Sequence, residues 1–174
     1  MRYAALDTKF LLALAGGEQD AEGTIDYLRS IGFFPIITES VIEQIGELQR
    51  STDSSAYIFA EIVAKNFIYW GILDVPNPNI LNGTSCVHAE KILAQNLIPD
   101  GTLFEAEMLV EASCHNCEIL VTFSDALLNA PSAPLNLALI DNGLVNVTVA
   151  IASPEMISQR VKIRANQVLE VATA

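Results

Sequence analysis

Apolar positions along this chain change period repeatedly, and the changes mark its elements. Arg2 to Leu6 reads as a short buried strand ended by Asp7-Thr8, and Phe10 to Leu14 as a helix broken by Gly16-Gly17. From Glu18 to Ile31 the residues Ala21, Ile25, Leu28 and Ile31 recur at helical spacing, and Gly32 stops that helix. Phe33 to Ile37 is an aromatic and β-branched run of strand length. Ser40 with Glu43 predicts a capping box for a helix that carries Val41, Ile42 and Ile45 and ends near Arg50. After a polar break from Ser51 to Ser55, the spacing predicts a strongly apolar helix from Ala56 to Trp70, closed by Gly71.

The second half continues the alternation. Pro76 and Pro78 make Asp74 to Ile80 a loop. A helix follows from about Ser85 to Asn96, with Val87, Ile92 and Leu93 inward. Pro99-Asp100-Gly101 is a turn, and Thr102 to Cys114 a further helix. Glu118 to Phe123 predicts a buried strand, and Ser124 or Asp125 starts a short helix. Val145 to Ile151 is a β-branched strand, and Ser153-Pro154 opens a helix by cap and first-turn proline. Strands alternating with helices imply a three-layer α/β/α domain with a mainly parallel central sheet of four to five strands. In such sheets functional groups gather beyond the carboxyl ends of the strands. No internal repeat or Gly-rich nucleotide loop is present; Gly16-Gly17 lacks the required spacing.

The length, 174 residues, suits one domain, taken as 1–163 with a C-terminal tail at 164–174. Charged residues make up 17%, against about 25% in a typical soluble domain. That deficit points either to a face buried in a homodimer or to a plain, well-buried sheet. The formal charge of −12 repels a phosphate backbone and argues against a general nucleic-acid coat, but not against an enzyme that meets nucleic acid through metal ions. Arg160, Lys162 and Arg164 cluster as a basic patch or as a solvated helix end. The amino terminus lacks a signal-peptide layout and no apolar run reaches membrane-spanning length, so the expectation is a cytoplasmic protein that does not enter a membrane. Three cysteines, an odd number, fit a reducing compartment.

Four acids stand where elements change: Asp7, Glu39, Glu105 and Asp125. Carboxylates so placed can converge on one end of a parallel sheet and hold a hard divalent cation. Each also has a local alternative. Asp7 can cap a helix with Thr8, Glu39 can favour a helix dipole, and Asp125 can decorate the turn that Ser124 caps. Glu105 falls on the arc of Phe104, Met108, Leu109 and Ala112, while Glu107 points away and reads with Glu111 as a solvated pair. Thr102 and Glu105 also spell a capping box, so Glu105 is a cap partner or a ligand.

Other constellations carry less. Cys114, His115 and Cys117 with Cys86 and His88 offer soft ligands, but no paired C-x-x-C supports zinc, and lone cysteines are often simply buried. His88 and His115 are candidate general bases, but neither lies by a strand end with a nucleophile beside it, and no nucleophile-elbow motif is present. Phe67, Tyr69 and Trp70 suit a core or a dimer face better than base stacking.

The chain resembles the PIN-domain ribonucleases. LDTKFLLALAG at Leu6 to Gly16 looks like their opening, TESVIEQI at Thr38 to Ile45 is similar to their second acidic motif, and Glu105 to Leu128 looks like their third and fourth. VAIASPEMI, Val149 to Ile157, resembles their closing strand and helix start. The resemblance spans roughly residues 3 to 160, with 56–98 matching only in helical character. Two positions depart from the family pattern. Glu105 replaces an Asp, and Asp125 stands three residues after Thr122, with Ser124 in the usual place of the fourth acid.

The resemblance implies a Mg²⁺- or Mn²⁺-dependent ribonuclease acting on single-stranded or structured RNA, of the kind found as the toxin paired with an antitoxin protein. Asp7, Glu39, Glu105 and Asp125 would hold the metal, with Thr8, Thr122 and Ser124 in support. The alternative it leaves is a catalytically weakened PIN-like domain used for binding or assembly.

Overall fold

A computed structural model describes residues 1–74, 83–144 and 149–159. Its centre is a four-stranded, wholly parallel sheet with helices on both faces, a three-layer α/β/α arrangement. The strands are β1 (Arg2–Leu6), β2 (Phe33–Ile36), β3 (Cys117–Val121) and β4 (Ala150–Ala152), in the spatial order β2-β1-β3-β4. Leu6 pairs with Val121 and Ala5 with Ile36, so β1 is an interior strand with a partner on each side. Ala4, Ala5 and Leu6 are fully buried, as a strand covered on both faces requires.

The edge strand β2 contains Pro35, which has no N–H to give to a ladder and is tolerated there for that reason. Leu73 extends this edge: its N–H donates to the Pro35 carbonyl at 2.9 Å, and its own carbonyl accepts from Ile37 at 3.0 Å.

After β1 the chain enters α1 (Thr8–Ala15), which buries Phe10, Leu11 and Leu14 and ends at Gly16. Gly17 at φ +75° then turns it toward α2 (Gln19–Ser30). Helices α3 (Glu39–Leu48) and α4 (Ser54–Asn66) follow β2. Then come α5 (Ser85–Ala94) and α6 (Leu103–Cys114), and after β3 the short α7 (Asp125–Leu128) and α8 (Ser132–Asp141). Residues 154–159 are helical, with the Ser153 hydroxyl accepting from the Met156 N–H at 3.1 Å as a cap. No described helix is long and apolar enough to cross a membrane.

Several expectations change. The Ser40–Glu43 capping box is absent, because Thr38 is the N-cap of α3 and the Ser40 hydroxyl donates to Glu111 instead. The apolar helix stops at Asn66 and a series of turns follows, so Tyr69 is 87% exposed, outside any core. Val87, expected inward, is exposed on α5. Glu111, expected in a solvated pair with Glu107, is 3% exposed. The reason is common to α6: it packs on α5, α3 and β3 together, so burial spreads around its circumference and no polar face remains to be read. Helix α8 was not anticipated. The Pro76–Pro78 loop, most of the Val145–Ile151 strand and the basic cluster Arg160, Lys162 and Arg164 lie outside the described residues.

Candidate functional site

Strand β1 sends its chain to β2 on one side and has β3 on the other, so the two halves of the sheet part beyond the carboxyl end of β1. Open parallel sheets form their clefts at such a point. Asp7 is the first residue past β1, and Thr122 to Ser124 are the first past β3. The ladder carries on into them, with the Asp7 N–H donating to the Val121 carbonyl at 3.0 Å and the Thr122 N–H to Ala152 at 3.0 Å.

A cleft of about 430 Å³ opens here, lined by Asp7, Thr8 and Lys9 of the β1–α1 junction, Gln44 of α3, Thr102 and Glu105 at the start of α6, and Ser124. Leu12, Leu48, Phe104 and Met108 form its apolar wall. The structure therefore brings Asp7 and Glu105 together, with Thr8 and Ser124 in support.

The Asp7 carboxylate is 3% exposed and fully engaged. One oxygen caps α1 by accepting from the Phe10 N–H at 2.5 Å; the other accepts from the Thr122 hydroxyl at 2.6 Å and the Phe123 N–H at 3.1 Å. Burial pushes this carboxyl above its ordinary pKa, and the hydrogen bonds and the charge of Lys9 only partly offset that.

Glu105 completes the expected capping box with Thr102. Its Oε2 accepts from the Thr102 N–H at 2.8 Å and from the Thr102 hydroxyl at 2.9 Å. Its Oε1 accepts from the Ser124 hydroxyl. Partial burial raises this carboxyl, but the bonds from Ser124 and Thr102, aided by Lys9, outweigh it and hold the pKa below the usual value. The Ser124 N–H donates to the Thr122 hydroxyl at 2.9 Å, so one hydrogen-bonded chain runs from Thr102 through Glu105, Ser124 and Thr122 to Asp7.

The other two acids do not enter this cleft. Glu39 lies 3.3 Å from the buried imidazole of His115 and faces a separate hollow of about 180 Å³ with Glu43, Glu107 and Glu111. Within it, Glu111 accepts from the Ser40 N–H at 3.0 Å and the Ser40 hydroxyl at 2.6 Å. Asp125 is exposed in the first turn of α7 and lines neither hollow. Helix α3 contributes Gln44 to the cleft in place of Glu39. The sequence does not single out Gln44 or Lys9, because a lone amide or lysine on a helix carries no chemical signature. The spacing of Gln44 is the one available signal: it follows Val41 by three residues and precedes Leu48 by four, and Leu48 also lines the cleft.

Does this donor set suit Mg²⁺ or Mn²⁺? Such ions take several oxygen ligands, mainly carboxylates and waters, in near-octahedral order. The cleft offers two carboxylates, each oxygen of which already accepts at least one bond from the protein. The remaining polar walls are neutral, at Gln44 and Ser124, or cationic, at Lys9. Among the described residues no group of three or more His, Cys, Asp or Glu side chains is placed to hold a metal ion. The residues present do not fit a tightly held divalent cation. One atom points the other way: the buried Thr8 hydroxyl has no partner among the described residues, and a ligand or water in the cleft would give it one.

Raised thiol pKa values disfavour the thiolate at Cys114 and Cys117. Burial, with repulsion from Glu111 and Glu39, pushes the Cys114 thiol up to about 11, and burial pushes Cys117 up to about 12. No protein-family model matches the chain, and none of the curated proteins compared with it matches either.

Proposed function

We propose that this chain is a PIN-like α/β domain with a weakened catalytic centre, working in the cytoplasm as a binding or assembly module. The observation that carries this reading is the internal satisfaction of the cleft. Asp7 and Glu105 spend their acceptor capacity on Phe10, Thr122, Phe123, Thr102 and Ser124, and neutral or cationic groups stand where further acids would be needed. Carboxylates committed to capping helices give strength to the fold at the expense of a ligand field.

A second copy of the chain is the assembly partner this reading favours. Helix α4 buries only Ala60 and Val63 and leaves Tyr57, Ile58 and Phe59 exposed. Exposed apolar side chains on a helix that buries so little suit an interaction face.

The second reading is a metal-dependent ribonuclease acting on single-stranded or structured RNA, as the toxin of an antitoxin pair. It is favoured by the pairing of Asp7 with Glu105 at the parting of the sheet and by the unpartnered Thr8 hydroxyl. Incubation of the purified protein with labelled single-stranded and hairpin RNA in Mn²⁺ separates the two. The module reading expects no cleavage above that of an Asp7→Asn variant. Cleavage that Asp7→Asn abolishes would replace it with the ribonuclease.

A further inference from the structure

Among the described residues lining the cleft, Lys9 is the only cationic side chain. It also lines a neighbouring hollow of about 520 Å³ with Phe59 and Phe123, so it stands where the two meet. It forms no ion pair among the described residues, although this chain has 21 acidic side chains against 9 basic. Its position is set by α1: Asp7 caps the helix, Phe10 and Leu11 turn into the core, and the second helical residue is left on the rim beside the cap.

We propose that Lys9 is the resident counter-cation of the Asp7–Glu105 cleft and that its ammonium group keeps divalent ions out. This rests on the weakened-centre reading and supplies a reason for it beyond the neutral walls. Two carboxylates sharing a partly buried cleft need a balancing positive charge. A divalent ion normally supplies it; an ammonium on the same rim supplies it instead and repels an incoming cation. The charge of Lys9 acts favourably on both carboxylates.

The arrangement has a direct test in Mn²⁺ binding, read by the electron paramagnetic resonance of free Mn²⁺ and by titration calorimetry. Lys9→Met keeps the length of the side chain and removes its charge. The residue is exposed, so folding should survive, and circular dichroism checks that it does. The expected result is Mn²⁺ affinity about tenfold or more above that of the unmodified chain, the scale for deleting one unit charge near a partly screened site. The gain should vanish when Glu105→Gln is added, which locates the ion in this cleft. Equal affinity with and without Lys9, or a gain indifferent to Glu105→Gln, would overturn the proposal. The RNA-cleavage assay on the unmodified chain decides the weakened-centre reading separately, since the Lys9 effect is a ratio between two variants and does not depend on turnover.

Discussion

The Ser124 hydroxyl donates to the Glu105 carboxylate across the cleft, joining the cap of α7 to the cap of α6. Ser124 also receives the Leu127 N–H at 3.4 Å, so one side chain ends its own helix start and anchors another. A double-mutant cycle on Ser124→Ala and Glu105→Ala tests this link. Each single change should cost about 1 kcal/mol through loss of a cap. The pair should show a coupling of about 0.5 kcal/mol or more in urea unfolding, as contacting residues in one network do. Strict additivity would mean that the bond carries no weight.

Asp7 has a larger structural share. Asp7→Ala leaves the Phe10 N–H, the Thr122 hydroxyl and the Phe123 N–H without their acceptor in a buried place. Loss of a helix cap together with orphaned buried donors predicts a destabilisation of about 3 kcal/mol. Chemical denaturation should show Asp7→Asn recovering part of it, because the amide oxygen still accepts. A stability unchanged by Asp7→Ala would remove the argument that this carboxylate is committed to the fold.

Glu111 predicts a pH dependence with a definite sign. Burial pushes its carboxyl above the ordinary pKa, the hydrogen bonds of Ser40 and Thr38 pull it back in part, and the charge of Glu39 adds to the rise. The folded state therefore holds this proton more tightly than the unfolded chain. Its contribution to stability is fully present below the unfolded pKa and is lost as pH rises through the folded one. Glu111→Gln mimics the protonated form and keeps an acceptor for Ser40. Its Tm relative to the unmodified chain should rise between about pH 4 and pH 7. A difference that is flat, or that falls with pH, would contradict the burial of an ionised group here.

The proposed assembly face makes its own prediction. Ile58 is 53% exposed on α4, beside the Glu61–Lys65 ion pair. Ile58→Lys should leave the fold intact and shift sedimentation from dimer to monomer at micromolar concentration. An unmodified chain that sediments as a monomer at the highest soluble concentration would exclude a homodimer through α4.

Much of this protein was legible in its sequence. The strand at Arg2–Leu6, the strand at Phe33–Ile36, the Thr102–Glu105 capping box and the start at Ser124 all came from local rules, because period, turn residues and caps act within a few neighbours. Local rules make Asp7 a cap or a ligand and Glu105 a cap partner or a ligand. What local rules do not contain is which helix faces which cleft. Glu39 and Asp7 both follow strands, yet packing turns Glu39 toward His115 and sends Gln44 into the cleft instead. Asp125 lies one residue beyond Ser124, and one residue on a helix is about 100° of rotation, enough to put the serine inside and the acid in solvent.

The sequence by itself therefore determined the alternation of strands and helices, the parallel sheet and the caps at Thr102 and Ser124, since those depend on short-range sterics and hydrogen bonding, but it left out α8 and misplaced the cap of α3. Only the tertiary structure decided which carboxylates meet, which are spent on internal donors, and that Lys9 shares their cleft. Those facts depend on distances between segments far apart in the chain, such as Asp7 and Thr122, separated by 115 positions and joined by one 2.6 Å bond.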